Sequence, residues 1–299
     1  MKQIRKSMAS WLLTAACLAL AEPAVAEIYT LGDSISDAGS LGITYTNPAS
    51  VSPRVAGRVW IQDLTNSTPA FCNDRKRCAW SPTTFYYGAG NNYAVGGAGV
   101  MFDSMETQGP NSFTSLGAQV AALANSGKLK PGDIVTVLMG ANDILAAASR
   151  PASADATVKA AAAAYVQYVA GLAAHVKKPQ IFVLTVPDIG QSPLGKSSVD
   201  GGATLSRLTA VFNDIVSTGL QGKAGVRLLD SNGIFVQLAR SFVPYPTYCA
   251  QVIDLGHACG TTSNPESIPA TGELLFADPL HPSRAAHEAI ADYLASRLR

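Results

Sequence analysis

Short, nearly continuous apolar segments alternate with helix-forming segments through the second half of the chain. The apolar segments span 133–139, 181–186 and 226–230, and the predicted helices span 115–126, 154–178, 205–220, 234–241 and 283–298. Such apolar runs are typical of strands buried on both faces of a parallel sheet. Their alternation with helices places helices on both faces of that sheet. We therefore expect a doubly wound α/β protein, a three-layer α/β/α sandwich with a mainly parallel sheet of about five strands.

Another predicted strand, 28–31, ends at a glycine and delivers a serine to a turn. The residues that follow the strand are GDSISD, 32–37. A serine hydroxyl is a weak nucleophile at neutral pH, so a serine enzyme needs a base, a group that orients the base, and donors for the developing oxyanion. Ser34 is therefore a candidate nucleophile, whereas Asp33 and Asp37 are also explained as turn or cap residues around it.

One of the four histidines has the surroundings of a catalytic base. His281 follows Asp278 by three residues, and Pro279 and Pro282 stiffen the turn that holds both. A carboxylate against one imidazole nitrogen fixes the tautomer and leaves the other nitrogen free to take a hydroxyl proton. The remaining histidines have simpler explanations. His175 lies at a helix end, His257 in a surface loop, and His287 on a solvated face of the last helix.

Two further strand ends carry groups that can stabilise an oxyanion. A predicted strand at 92–95 runs into a glycine turn, and the strand at 133–139 ends just before Asn142. The C-terminal ends of the strands form the ligand crevice of a doubly wound sheet. We therefore expect an oxyanion hole made by the Ser34 N–H, the Gly97 N–H and the Asn142 side-chain amide. Taken alone, the glycine turn is only a turn, and Asp143 is equally explained as a helix start.

Four sequence blocks together resemble the GDSL, or SGNH, esterase/lipase family. They are GDSISDAG (32–39), NYAVGGA (92–98), GAND (140–143) and DPLHP (278–282), in the order that the family has them. The resemblance implies a flavodoxin-like form of the predicted sandwich, the SGNH hydrolase fold. It also implies that Ser34 is the nucleophile, His281 the base and Asp278 the group that orients the base, while Gly97 and Asn142 complete the oxyanion hole. Isoleucine at position 35 replaces the leucine of the family name, a mild apolar change.

A long segment at about 40–90 lacks sustained periodicity, apart from a possible short helix at 55–64, and we expect a loop insertion there. Together with the GDSxxDxG form of the first block, this loop resembles the bacterial secreted branch of the family. That branch includes lipolytic autotransporter passengers, haemolysin-like phospholipases and choline-ester hydrolases. Two explanations of the loop's aromatic residues stay open, a substrate mouth or a small satellite core. The candidate substrate-binding residues are Trp60, Trp80, Phe85, Tyr86 and Tyr87.

Residues 1–26 have the pattern of a cleaved signal peptide. Three basic residues precede an apolar stretch at 11–20, and the sequence AVA at 24–26 is a small-residue cleavage site. The apolar stretch is shorter than the ~20 residues of a spanning helix. We expect export to the periplasm or the extracellular medium without a stable membrane anchor, with lipidation of Cys17 as the alternative. Residues 27–299 then form a single domain, with a second loop insertion at about 242–275.

Four cysteines remain in the mature chain, and an even number in an exported protein favours disulfides. The short spacings make Cys72–Cys78 and Cys249–Cys259 the simplest of the three possible pairings. Zinc binding is the alternative, although neither pair has CxxC spacing and only His257 lies nearby. We expect two loop-closing disulfides, no metal and no cofactor.

The charge of the mature chain argues against a nucleic-acid partner. The whole sequence has 22 basic and 21 acidic residues, and the leader removes three of the former and one of the latter, which leaves a formal charge of −1. We expect a small-molecule or lipid ester as the partner instead. The predicted function is a secreted serine carboxylic-ester hydrolase, an esterase or lipase, that forms an acyl-enzyme on Ser34 and loses activity at acid pH because its base must be neutral.

Two other functions stay open at this point. One is a lysophospholipase or choline-ester hydrolase, in which the aromatic residues between 60 and 87 cage a quaternary ammonium group. The other is a catalytically silent module that binds lipid or carbohydrate on the same fold. Covalent reaction of Ser34 with an organophosphonate distinguishes an enzyme from a mere binder.

Overall fold

A sheet of four parallel strands lies at the centre of the fold. The computed structural model describes residues 26–40, 44–46, 50–51, 54–55, 57–67, 90–104, 114–240 and 274–298. The strands of this sheet are β1 (Ile28–Gly32), β4 (Ile134–Leu138), β5 (Gln180–Leu184) and β6 (Val226–Leu229), and a separate antiparallel pair consists of β2 (Ser50–Val51) and β3 (Arg54–Val55). The sheet order is β1-β4-β5-β6, and every pairing in it is parallel. β1 and β4 are buried along their whole length, as their apolar sequences predict.

The position beside β1 is occupied by a short pairing rather than by a full strand. Asn92 forms a parallel bridge with Thr30, and the Tyr93 N–H donates to the Thr30 carbonyl at 2.7 Å. The side chain of Asn92 bonds to the chain around it, since its Oδ1 accepts the Ala94 N–H and its Nδ2 donates to the Ser36 carbonyl. These local bonds compete with a longer ladder. Counted as a strand, this segment gives the flavodoxin-like order 2-1-3-4-5.

Helices cover both faces of the sheet. Their bounds are α1 (Trp60–Ser67), α2 (Leu116–Asn125), α3 (Ala141–Ala148), α4 (Ala154–Ala173), α5 (Pro193–Lys196), α6 (Ala203–Leu220), α7 (Ser231–Leu238) and α8 (Arg284–Ala295), with 3-10 turns at Pro151–Ser153 and Ile189–Gln191. Tyr29 and Leu31 of β1 pack into one core with α2, α3, α4 and α6. Ile28 points to the other face, into a core with α1, α7 and α8. The predicted three-layer α/β/α sandwich with a mainly parallel sheet is confirmed.

The long predicted helix at 154–178 is shorter than expected. α4 ends at Ala173, and the His175 N–H then donates to the Leu172 carbonyl, which tightens the chain into a turn. Lys178 has a positive φ of 46° and precedes Pro179, which disfavours helical geometry in the residue before it. The proline therefore accounts for the non-helical Lys178, while the turn at Leu172–His175 ends the helix earlier.

Several sequence predictions concern residues outside the described ranges. They are nearly all of the signal peptide, most of both loop insertions, the four cysteines of the predicted disulfides, and the aromatic residues Trp80, Phe85, Tyr86 and Tyr87. The signal peptide, the single mature domain and the two disulfides stay predictions. Within the described ranges, none of the helices combines the length and the apolar character that crossing a membrane requires.

Candidate active site

Ser34 lies in a tight, buried turn directly after β1. The Ser36 N–H donates to the Asp33 carbonyl at 3.0 Å, and the Asp33 carboxyl group accepts the Ile35 N–H at 3.2 Å. Only 6% of Ser34 is exposed. The turn therefore holds the hydroxyl group at the C-terminal edge of the sheet, where the doubly wound fold predicts a ligand site.

Gln119 of α2 fixes the glycine from which this turn starts. Its Oε1 accepts the Gly32 N–H at 2.8 Å and its Nε2 donates to the Gly32 carbonyl at 2.9 Å. Sequence reasoning missed this residue, although a signal exists. Gln119 lies three residues after Leu116 and four before Leu123, so it occupies the buried face of α2, where a polar side chain needs partners.

Three of the predicted catalytic residues form one hydrogen-bonded chain. The His281 Nε2 lies 2.8 Å from the Ser34 Oγ, although 247 residues separate the two. The other ring nitrogen, Nδ1, lies 2.9 Å from the Asp278 Oδ2. The ring is buried, with 8% of the residue exposed. The structure thus brings a hydroxyl, an imidazole and a carboxyl group together in the geometry of proton transfer from the hydroxyl to the ring.

Asp278 is held as a carboxylate by the residues around it. Burial alone would raise the pKa of Asp278, but the His281 ring and the backbone N–H groups of His281 and Leu280 lower the pKa below its ordinary value. Both N–H groups donate to Oδ1 at 2.7 Å, which leaves Oδ2 for the imidazole. The stiff turn expected from Pro279 and Pro282 therefore serves to aim one carboxylate oxygen at the ring.

Two backbone N–H groups near Ser34 are available for an oxyanion. The Ala98 N–H donates to the Val95 carbonyl at 3.2 Å, which closes a turn in which Gly97 has a φ of +73°. This backbone conformation favours glycine. In the described part of the chain, neither the Ser34 N–H nor the Gly97 N–H donates to a protein acceptor. Both are thus free to bind a ligand atom.

Two buried carboxyl groups hold the glycine turn in place. The Asp37 Oδ2 accepts the Gly96 N–H at 2.8 Å, and the Asp143 Oδ2 accepts the Val100 N–H at 2.8 Å. The Asp37 Oδ1 also accepts the Gly39 N–H, as expected of a turn residue. Both roles expected from the sequence, turn residue and helix start, are therefore present, and each aspartate in addition links its own strand end to the glycine turn.

Asn142 connects the end of β4 to the same turn. Its Nδ2 donates to the Ala98 carbonyl at 2.8 Å, which uses one of the two amide hydrogens. The residue also lines the cavity that contains Ser34 and His281. The second amide hydrogen is therefore left for a ligand in that cavity. Asn142 therefore contacts the glycine turn and shares a cavity with Ser34, while the oxyanion hole itself stays a prediction.

Burial perturbs two carboxyl groups beside the catalytic chain. Burial raises the pKa of Asp33 to about 7 and that of Asp143 to about 6, against an ordinary value of 3.8. The Asp33 Oδ2 is buried and has no hydrogen-bond partner among the described residues. Desolvation without a compensating partner favours the neutral form of a carboxyl group. Asp33 is thus neutral or only partly ionised near pH 7.

Tyr45 packs against the imidazole of His281 from the side of the glycine turn. Its ring centroid lies 5.2 Å from that of His281, with the two rings tilted by 36°. A Cβ atom at Gly96 would overlap the Tyr45 ring. Glycine at this position therefore lets the tyrosine approach and hold the histidine ring. Sequence reasoning missed Tyr45, since nothing in its local sequence distinguishes it from other loop aromatics.

A cavity of about 600 Å³ opens beside Ser34, on the side of β5 and β6. Its walls are mostly apolar and come from the segment after β5, from α7 and from residues 275–280, including Val186, Ile189, Phe235, Val236, Leu275 and Phe276. Small-molecule sites commonly measure ~300–1,000 Å³ and have such walls. The cavity thus offers room for the apolar part of a substrate next to the nucleophile. Among the described residues, no group of three or more His, Cys, Asp or Glu side chains is arranged to hold a metal ion.

Two sequence predictions about this region are wrong. Trp60 was expected among the substrate-binding aromatics, but it is fully buried and its Nε1 donates to the Ser36 Oγ at 3.1 Å. His287 was expected on a solvated face, but it is also fully buried and its Nδ1 accepts the Trp60 N–H at 3.1 Å. The reason is the same for both, since α1 and α8 pack against each other over the second core. Trp60 instead belongs to the core between the sheet and α1, α7 and α8, so neither alternative that the sequence left open describes it.

A family model described as GDSL-like lipase/acylhydrolase matches residues 28–294 of the 299. The chain belongs to this family. The match spans all the segments that build the site of this GDSL-like protein, from the turn after β1 to α8.

One curated relative of the GDSL-like chain is an uncharacterized protein in the trpE–trpG intergenic region of Pseudomonas putida. It is 28% identical over 324 residues, which cover 99% of this chain and 52% of the relative. The chain therefore spans about half the length of that relative.

Solved structures similar to the GDSL-like chain include several esterases. They include an acetyl xylan esterase (14% identity, 91% of this chain and 100% of the other, TM-score 0.47) and an aryl esterase from M. smegmatis (14%, 92% and 98%, 0.47). A catalytic mutant of an acetylxylan esterase from Geobacillus stearothermophilus is 13% identical, with 91% and 94% covered and a TM-score of 0.49. Similarities at this level carry no argument about substrate.

Proposed function

We propose that this protein is an exported serine carboxylic-ester hydrolase that works through an acyl-enzyme on Ser34. The observation that carries the proposal is the chain of contacts from the Ser34 Oγ through the His281 ring to the Asp278 carboxylate, at 2.8 and 2.9 Å. Membership of a family of lipases and acylhydrolases agrees with it. Export rests on the signal-peptide pattern of residues 1–26.

The proposed reaction has two halves that use the same groups. The His281 Nε2 removes the hydroxyl proton while the Ser34 Oγ attacks the ester carbonyl, and the ring then gives that proton to the leaving alcohol. In the second half, His281 takes a proton from a water molecule that attacks the acyl carbon. The bond from that carbon to the Ser34 Oγ then breaks, the ring returns the proton to Oγ, and the carboxylic acid leaves. Asp278 accepts the Nδ1–H throughout, which fixes the tautomer and stabilises the transient imidazolium.

The oxyanion of each tetrahedral intermediate is proposed to bind three donors, the Ser34 N–H, the Gly97 N–H and the Asn142 Nδ2–H. Two side-chain carboxyl groups and the Asn142 amide already hold the glycine turn, so these donors need little rearrangement when charge develops. Preorganised donors of this kind contribute ~3 kcal/mol each to transition-state stabilisation.

The apolar cavity supports an ester with an apolar part as the substrate. The cavity begins at Ser34 and His281 and continues along α7 and residues 275–280. A choline-ester hydrolase is not favoured, because that hypothesis included Trp60 in a cation cage and the Trp60 ring is buried beneath Ser36.

Single substitutions test the assignment of nucleophile and base. We expect Ser34→Ala and His281→Ala each to reduce turnover of 4-nitrophenyl butyrate by at least ~10³-fold, because the two groups act as one unit. Ser149→Ala and His175→Ala are the matched controls, since they make the same changes at the end of α3 and after the end of α4. Near-normal turnover by either active-site variant would overturn the proposal.

Covalent labelling separates an enzyme from a silent binding module. We expect a fluorophosphonate to add one phosphonyl group to wild-type protein, and we expect peptide mass spectrometry to locate it on Ser34. His281→Ala should react far more slowly, because the hydroxyl then lacks its base. Lack of reaction in wild-type protein under conditions that label a known serine hydrolase would favour the binding module.

A further inference from the structure

The cavity beside Ser34 contains one lysine and one aspartate among mostly apolar walls. Apart from the catalytic histidine, the charged or chargeable side chains that line it within the described residues are Lys196 and Asp188. A charge on such a wall interacts strongly with a ligand, because apolar surroundings screen charge less than water does. Which of the two charges is available to a ligand therefore affects what the cavity accepts.

Asp188 is engaged in holding the chain. Its Oδ1 accepts the Gly190 N–H at 2.9 Å and its Oδ2 accepts the Ser206 hydroxyl at 3.0 Å. The carboxylate thereby caps the short helical turn after β5 and connects it to α6. Both oxygens have structural partners, so the aspartate is explained without a ligand.

Lys196 has no such partner. Within the part of the chain that the structure describes, no carboxylate lies within 4 Å of its ammonium nitrogen and no hydrogen bond uses that group. Lys196 is only partly buried, and it is one of the residues that line the cavity. An ammonium group with three unused donors on an apolar wall is suited to an anionic oxygen.

The segment that carries Lys196 is fixed to the catalytic loop. The Leu194 N–H donates to the Pro279 carbonyl at 2.7 Å, two residues before His281. Ser192 caps the same short helix, since its Oγ accepts the Gly195 N–H at 3.1 Å. The backbone below Lys196 therefore keeps a constant place relative to the catalytic histidine.

We propose that Lys196 is a specificity residue that selects ester substrates bearing an anionic group, a carboxylate or a phosphate, next to their apolar part. The inference rests on the proposed ester hydrolysis at Ser34 and adds the charge of the substrate to it. The apolar walls bind the hydrocarbon part, and the ammonium group binds the anionic oxygens. Lys196 does not touch the reacting bond, so its contribution is to substrate binding.

Two pairs of esters test the inference and distinguish the sources of the charge. Mono-(4-nitrophenyl) suberate and 4-nitrophenyl octanoate differ by a carboxylate at the end of the acyl chain. 1-Octanoylglycerol 3-phosphate and 1-octanoylglycerol differ by a phosphate on the alcohol. For wild-type protein and for Lys196→Ala and Lys196→Glu, the measured quantity is the ratio of kcat/KM for the anionic ester to kcat/KM for its neutral partner. Lys223→Ala, after α6, is the matched control.

We expect Lys196→Ala to lower this ratio at least about tenfold in one pair, mainly through a higher KM for the anionic ester, and Lys196→Glu to lower it further. Lys223→Ala should keep the wild-type ratio. The pair that responds tells whether the anion lies on the acyl or the alcohol side. If Lys196→Ala reduces both members of each pair equally, the lysine supports the local structure and the inference is overturned.

The test also separates this inference from the function on which it rests. If wild-type protein hydrolyses the neutral esters while both Lys196 variants keep the wild-type ratio, only the charge selectivity is wrong. If wild-type protein hydrolyses none of the four esters, the proposed ester hydrolysis fails and the inference fails with it.

Discussion

At the scale of single residues, the candidate site contains carboxyl groups that differ in their protonation because they differ in their partners. Asp278 has two backbone N–H donors on one oxygen and the imidazole on the other, and its pKa lies below the ordinary value. Asp33 has a single N–H donor, and one of its oxygens has no partner among the described residues. The imidazole of His281, together with two backbone N–H donors, therefore lowers the pKa of Asp278 despite its burial, whereas burial dominates at Asp33.

Asp33→Asn should stabilise the protein increasingly as the pH rises. The pKa of Asp33 is about 7 in the folded protein and near 3.8 in the unfolded chain, so the folded state holds the extra proton between these values. The contribution of this group to stability is therefore present at low pH and is lost as the pH rises through 7. Asparagine keeps the acceptor for the Ile35 N–H and has no charge to bury.

Denaturant unfolding at pH 5 and at pH 8 measures this effect. The difference in unfolding free energy between Asp33→Asn and wild-type protein should be larger at pH 8. A difference that is the same at both pH values would contradict a raised pKa of Asp33.

Asn142→Ala should reduce kcat about 10²–10³-fold with little change in KM, because the amide is proposed to stabilise the oxyanion more than the ground-state carbonyl. Steady-state kinetics on 4-nitrophenyl butyrate measure both constants. Asn125→Ala, at the end of α2, is the matched control. A loss smaller than about threefold in kcat would exclude the Asn142 side chain from the oxyanion hole.

At the scale of elements, one histidine couples two helices that lie behind the nucleophile. His287 of α8 accepts the N–H of Trp60 at the start of α1, and the indole of Trp60 in turn donates to the Ser36 hydroxyl. Burial and, to a smaller extent, the nearby His281 ring lower the pKa of His287 to about 3. The imidazole is thus neutral in the folded protein and connects α8, through α1, to the turn that carries Ser34.

His287→Ala should weaken the protein at neutral pH and make it less sensitive to acid. The unfolded chain takes up a proton on this residue near pH 6.5, whereas the folded protein resists until about pH 3. The stability that His287 contributes is therefore full above pH 6.5 and falls as the pH drops below that value. Removal of its hydrogen bond and its buried ring should cost about 2–4 kcal/mol at pH 7.

The difference in unfolding free energy between wild-type protein and His287→Ala, measured from pH 7.5 to pH 4.5, isolates this group from the other titrating residues. That difference should shrink as the pH falls. His175→Ala, which also removes one imidazole from the chain, is the matched control after the end of α4. A constant difference for His287→Ala would mean that the buried ring is not kept neutral.

At the scale of the whole molecule, the site depends on contacts between the two ends of the mature chain. Ser34 follows the first strand of the sheet, whereas Asp278 and His281 precede the last helix. Three strand ends and both helical layers keep these segments in place. We therefore expect esterase activity and tertiary structure to be lost together on heating.

Residual activity and near-ultraviolet circular dichroism, followed over one temperature range, test this expectation. The two midpoints should agree within about 2 °C if unfolding is two-state. Loss of activity at a temperature well below the loss of tertiary structure would mean that the catalytic loop detaches before the sheet unfolds.

The sequence predicted the sandwich and the catalytic candidates because both depend on local patterns. Apolar runs between helices indicated β4 and β5, and the Asp278–His281 spacing between two prolines indicated a base with its carboxylate. The gathering of Ser34, the glycine turn and Asn142 was expected because parallel strands share their C-terminal edge, whereas the pairing of His281 with Ser34 was implied by the family resemblance.

Features that depend on packing between distant elements were not predictable in this way. Nothing near Trp60 or His287 in the sequence shows that α1 packs against α8. Trp60 was therefore a candidate for a substrate mouth or a satellite core, and His287 was expected in solvent. The cavity walls similarly come from segments after β5, from α7 and from residues 275–280, which carry no common motif. Gln119 was partly predictable. Its helical spacing indicates that the side chain is buried, but it does not indicate that Gly32 is the hydrogen-bond partner.

The distance in sequence between Ser34 and His281 has a consequence for biosynthesis. Ser34 is synthesised 247 residues before His281, so a growing polypeptide cannot form the contact between them until residue 281 has been added. A truncated product that lacks residues 278–281 cannot form it either. The proposed hydrolase activity would therefore arise only in polypeptides that extend past this loop.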